Sequence, residues 1–266
     1  MPFRRPLSAG LCALLAAASL GTPAAASPAD LDLLASHGID GGRESLARFF
    51  RGLYADPDEA ARARARAAVL ASPHASDRDA AARYLAEMGV AALPTLEAAA
   101  ADDDPEARRV ASDLSRRALD RAPRDVLLAA LRITADKPVP GLAEHLFALL
   151  PLCDRFGFLG EAEAAVRGTV TRDDLALLRS TAREGTALAR PVAVLALGAI
   201  LNDDETPELR ALLRDAPDVV RVTAAWALAD RGDRAALAVF GEMLDAPDPW
   251  VRQRASAKWP SSVSSS

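Results

Sequence analysis

The sequence predicts an all-α chain of stacked antiparallel helix pairs, and three observations carry that prediction. Arg190, Arg221 and Arg252 recur at a spacing of 31 residues, and each opens an alanine-rich run. The element Asp-Ala-Pro-Asp stands twice, at Asp215 and at Asp245, ahead of the second and third of those runs. Within a run the apolar residues keep helical spacing: Val222, Ala225, Leu228 and Ala229 fall at i, i+3, i+6 and i+7. A unit of this length that cannot bury its own apolar face must stack on its neighbours.

The first residues are set apart from that pattern. Arg4 and Arg5 precede an apolar run from Leu7 to Leu20, and Ala24, Ala25 and Ala26 follow. This is the order of a secretory signal peptide over residues 1–26, cleaved after Ala26. It predicts an exported chain, periplasmic or extracellular. The run is shorter than the roughly 20 residues that span a bilayer, and no later segment is apolar enough, so no membrane span is expected after cleavage. Leu11 before Cys12 argues against lipid attachment, which wants a small residue there.

Removal of Arg4 and Arg5 takes the formal charge from −5 to −7. An acidic exported chain lacks the basic footprint that nucleic acid demands. With 30 arginines and 2 lysines, a single Arg carries no signal by itself. Half of the chain is apolar but only 5% is aromatic, and the abundant alanines suit helices that approach closely. After cleavage one cysteine remains, Cys153, so no internal disulfide can form. It is expected as a small buried apolar residue, the alternative being pairing with another molecule.

Along the mature chain, Leu85–Leu114 already shows the unit: Gly89 breaks a helix, Leu93 and Leu96 pack, and Asp102 to Pro105 start the next helix. Between Leu119 and Thr171 the spacing blurs, although RDVLLAALRI and GLAEHLFALLPL still predict helices. From Thr171 the register is sharp. Ala193, Ala224 and Ala255 coincide, as do Leu197, Leu228 and Trp259. Pro217 and Pro249 stand at helix starts, with Asp215, Asp218, Asp245 and Asp248 as caps. Gly232 ends one helix, and DRAALAVFGEML gives the next, with Leu237, Phe240 and Leu244 on one side. The last unit has a first helix, Trp250–Lys258, and no second; Trp259 is expected to close the array. The repeats occupy 27–260, clearest over 85–114 and 171–259, and a disordered serine-rich tail takes 261–266. No strand-like alternation of useful length is present.

Asp-x-Pro-Asp, Val-Arg, Ala-Ala-x-Ala-Leu, Gly and then a Leu-bearing helix resembles the HEAT repeat, in the short form found in phycobilisome lyases. The Trp/Gly/Tyr signature of tetratricopeptide repeats and the Thr-Pro-Leu-His of ankyrin repeats are absent. The resemblance implies a right-handed α-solenoid, HEAT-like or armadillo-type, with first helices outside and second helices lining the concave side. It would also suggest bilin lyase activity, but that chemistry is intracellular and this chain carries an export signal. A fold alone carries no function.

A search for chemistry yields little. His37, His74 and His145 are isolated and fit surface or cap positions better than metal spacing. Asp102, Asp103 and Asp104 lack the alternation of a calcium loop and stand where a helix needs capping. No phosphate loop, nucleophile elbow or Cys/His pair appears, so no catalytic residue, metal or cofactor is expected. Arg190, Arg221 and Arg252 are expected to form a structural ladder. In the first helical turn a cation is opposed by the helix dipole, so its recurrence calls for acceptors in the neighbouring turns.

Two constellations are candidates for partner binding. Leu195 and Trp226, 31 residues apart, take a position that such repeats leave polar; they form either a docking ridge or a surface that a neighbouring loop covers. Arg179 and Arg183 on one second helix and Arg210 and Arg214 on the next form either a fork for an anionic partner or a set in which Glu242 and Asp245 neutralise Arg210 and Arg214 while the other two are solvated. The expected function is a non-catalytic scaffold that binds a protein or peptide through its concave face. The alternatives are a mainly structural accessory subunit of an envelope assembly and, last, a lyase-like enzyme.

Overall fold

The computed structural model describes residues 25–137, 139–215 and 217–258. Residues 1–24, which hold most of the expected signal peptide, lie outside the described residues, as do Trp259, expected to close the array, and the serine-rich residues 261–266. Every regular element among the described residues is helical. The described residues divide into two compact units, one of Ala29–Ala130 and one of residues 131–258 with residues 25–28.

The Ala29–Ala130 unit contains α1 (Pro28–Ser36), α2 (Arg43–Arg51), α3 (Pro57–Ala68), α4 (Ala75–Met88), α5 (Leu93–Ala99) and α6 (Pro105–Asp120). Local chemistry sets the helix ends. The Asp56 carboxylate accepts from the Glu59 amide while the Glu59 carboxylate accepts from the Asp56 amide, a reciprocal cap. The Asp104 carboxylate accepts from the Ala107 amide at 2.8 Å, and Asp102 accepts from the Asp104 amide. The acidic run therefore caps α6. Gly89, at φ +57°, makes the break that follows α4. Ala63, Leu70, Ala81, Leu85, Leu96 and Ala111 meet in the core.

Helix α7 (Arg124–Asp136) runs across the division. The second unit continues with α8 (Ala143–Phe156), α9 (Leu159–Thr169), α10 (Leu175–Glu184), α11 (Ala189–Ile200), α12 (Thr206–Asp215), α13 (Asp218–Asp230), α14 (Ala235–Met243) and α15 (Pro249–Lys258). Each first helix stacks on the next, giving the row α9, α11, α13, α15, and α10, α12 and α14 pack along that row. This is a solenoid of helix pairs.

The layers are reversed relative to the expectation. Seven consecutive residues of α11, Pro191 to Leu197, are buried, so through its middle no side of that helix is left to solvent. The second helices bury one side only: Leu178 and Ala182 on α10, Leu209 and Leu213 on α12. Glu163 on α9 meets Arg254 on α15 at 3.6 Å, across α11 and α13. The row of first helices therefore curls inward, and the second helices form the outer layer. Small side chains allow it. A Cβ placed on Gly198 would come within 2.5 Å of the Ala227 Cβ, so α11 and α13 touch almost backbone to backbone. The face of α14 also differs: Leu237 is 38% exposed, and Ala236, Val239, Phe240 and Met243 form the buried side.

Candidate functional site

Each arginine of the 31-residue series reaches back to carbonyls that end the preceding helix or form the turn behind it. Arg190 Nε donates to the Ala182 carbonyl at 3.1 Å, and Arg221 Nε donates to the Leu213 carbonyl at 2.9 Å. Arg252 donates to Ala246 and Pro247 at 2.6 and 2.9 Å. Arg221 also pairs with Asp218 and Glu242. Unpaired carbonyls and a negative dipole end make these positions good cation sites, which offsets the unfavourable start of the arginine's own helix.

The four outer arginines divide into two kinds. Arg179 Nε lies 3.0 Å from both carboxylate oxygens of Glu208, and its Nη2 lies 2.8 Å from Oε2. Glu205 adds a longer contact, and hydrogen bonding to Glu208 pushes the Arg179 guanidinium up. Arg210 Nε donates to Asp233 at 2.6 Å, and the Ala235 amide together with Arg210 holds that carboxyl low. These two are bound within the chain, so the four do not form one open fork. The carboxylates that bind them are Glu208 and Asp233, not Glu242 and Asp245. Arg183 and Arg214 are exposed and have no ion-pair partner among the described residues. They stand 31 residues apart at one register on α10 and α12.

The Leu195/Trp226 ridge is covered. Leu195 is 6% exposed, and the Trp226 indole N–H donates to the Arg254 carbonyl at 2.7 Å. Over Trp226, which is half-buried, the cover is a helix, α15, rather than a loop. Its Arg254 guanidinium lies 4.8 Å from the Trp250 ring centre and 5.1 Å from that of Trp226, stacked between the two faces. Arg254 is 5% exposed, and Glu163 supplies the counter-charge. The inner face is thus filled by its own side chains.

Several of these residues escaped the sequence reading. Arg254 had a visible signal: Val192, Thr223 and Arg254 share one register, and the first two are fully buried. A cation at a core position announces a buried pair. Arg231 and Arg172 had none. Arg231 donates to Gly198 and Leu201 and pairs with Asp203, while Arg172 donates to Ile200 and pairs with Glu205. Both close the end of α11 from neighbouring repeats. A polar cleft of about 520 Å³ runs along these turns, but Asp203, Arg210, Arg231 and Asp233 already satisfy one another there.

Comparison with curated proteins found no match, and comparison with solved structures found none. The family model for HEAT repeats matches residues 175–258, which run from the start of α10 to the end of α15. The first and second helices alternate through that stretch, the arginine ladder recurs in each turn, and residues 175–258 are HEAT repeats.

Proposed function

We propose that the chain is an exported, non-catalytic HEAT-repeat scaffold that captures an acidic segment of a protein or peptide partner. The observation that carries this reading is the division among the outer arginines. Arg179 and Arg210 brace successive repeats, which leaves Arg183 and Arg214 at a fixed repeat spacing with their donors unspent. A guanidinium is suited to a carboxylate because its planar donors bind both oxygens. The concave inner face is occupied by Trp226, Trp250 and Arg254, so the reading moves from that face to the outer layer of second helices.

The test is capture from the native envelope fraction, together with binding of a labelled poly-glutamate peptide. The double variant Arg183→Glu, Arg214→Glu should fold normally and lose capture, with a larger loss at low salt than at high salt. Undiminished capture at low salt would overturn the assignment. Export rests on the leader. Mass spectrometry of the native protein should find Ser27 first, and a cytosolic chain that still begins at Met1 would refute it.

A second reading, a structural subunit of an envelope assembly, draws on the filled inner face. Such a subunit would be insensitive to the two charge reversals.

A further inference from the structure

Helix α15 is held unlike the first helices before it. α11 and α13 each pack between two second helices, α10 with α12 and α12 with α14. Among the described residues only α14 flanks α15 on that side. Its contact with the inner face is also chemically distinct. Where earlier repeats bury Val192 and Thr223, α15 buries a cation. The Arg254–Glu163 pair, at 3.6 Å, is longer than the outer pairs of Arg179 and Arg210, at 2.8 and 2.6 Å. Arg254 Nε is buried and has no hydrogen-bond partner among the described residues. A buried donor left unsatisfied weakens the contact that buries it. The surface under α15 is built from α13 and α9: the Trp226 face takes a guanidinium, and Glu163 supplies the counter-charge.

We propose that α15 is a detachable self-ligand of this groove, and that its release opens a docking site for an amphipathic helix of another protein. The occupant in the structure defines the chemistry of the guest. Trp250 and Arg254 lie four residues apart, one helical turn, so the aromatic ring and the cation project from one face. The guest presents an arginine one turn after an aromatic residue. This face is separate from the outer arginines, and the two assignments stand or fall independently.

The experiment uses the full-length chain with Trp250→Ala and Arg254→Ala, which empties the groove, and a fluorescent peptide with the sequence of residues 247–258. The peptide should bind the variant about tenfold or more tightly than wild type, whose groove is filled. The same peptide carrying Arg254→Glu should not bind. A folded variant that ignores the peptide overturns the proposal. So does a variant that dimerises instead, because the groove then belongs to a second copy. Hydrogen exchange provides a readout that needs no emptied groove. In the wild-type chain the amides of α15 should exchange about tenfold or more faster than those of α13. Equal protection of both helices would show that α15 opens only with the whole unit, and the proposal would fail.

Discussion

Arg254 on α15 and Glu163 on α9 meet at 3.6 Å although two helices of the row, α11 and α13, separate theirs. The contact measures the curl: four stacked first helices bend until the first and the last exchange charge. Both side chains are largely withdrawn from water, Arg254 at 6% and Glu163 at 17% exposure. Removing one partner of a buried pair leaves a charge with no compensation, which costs about 3–5 kcal/mol, whereas replacing both by apolar groups is often neutral. Glu163→Ala should therefore lower stability by about 3 kcal/mol, the lower end of that range because Glu163 keeps some solvent. Adding Arg254→Met should restore most of the loss. Urea unfolding of the single and double variants checks it, and a double variant weaker than Glu163→Ala would show that the pair stabilises outright.

The close approach of α11 and α13 predicts a steric penalty. Gly198→Ala would drive a methyl to 2.5 Å from the Ala227 Cβ. Overpacking of this kind costs about 1–3 kcal/mol. The compensating change Ala227→Gly should recover part of it, less the flexibility that a second mid-helix glycine adds. Thermal unfolding of the two single variants and the pair separates these terms, and additive losses would mean that the helices adjust independently.

Glu205 predicts a pH dependence. The hydrogen bond from Arg172, the Asn202 amide and the charge of Arg179 hold its carboxyl at about 2, below its ordinary 4.5. A carboxyl depressed in the folded state contributes stability above its unfolded value and loses it as pH falls through the folded one. Part of the stability should therefore disappear between pH 4.5 and about 2. In Glu205→Gln that part of the slope should be missing. Urea midpoints collected across this range decide it, and identical slopes in the two proteins would remove Glu205 from the account.

The sequence made the helix pairs and the ladder legible because both repeat: a spacing of 31 residues marks Arg190, Arg221 and Arg252 without any knowledge of their acceptors. It left the two sides of the sheet-like row undecided. Alanine-rich first helices suit an inner or an outer layer equally by periodicity, and only the Gly198–Ala227 contact and the Glu163–Arg254 pair settle the curl. Leu237 misled for a related reason, since a helix with apolar residues on several sides does not reveal which side is covered. Arg231 occurs once at its register, and the register of Arg172 is broken by Asp203 before it returns at Arg234. Their acceptors are carbonyls at the end of α11, and a carbonyl leaves no trace in a sequence pattern.

The ladder and the outer arginines predict opposite responses to the same substitution. Arg190 is partly buried and satisfies the Ala182 carbonyl, so Arg190→Ala should cost about 1.5–3 kcal/mol, the range for a hydrogen bond to a charged group. Arg183 is exposed and unpaired among the described residues, so Arg183→Ala should stay within about 0.5 kcal/mol. Urea unfolding should separate the two clearly, and equal losses would contradict the division of roles.

Cys153 offers a chemical test of the core between α8 and α9. The thiol is fully buried, and burial, aided by the charges of Glu161 and Asp154, pushes it up to about 12. The thiolate is the reactive species, so at pH 8 the native protein holds almost none of it and offers no path to it. Ellman's reagent should therefore find no reactive thiol at Cys153 until denaturant is added, and one equivalent afterwards. Labelling should follow global unfolding rather than precede it, because Leu149, Leu150 and Leu152 are buried around the same turn of α8. Rapid labelling in native buffer would mean that α8 opens on its own, and that the close packing of α8 on α9 does not persist in solution.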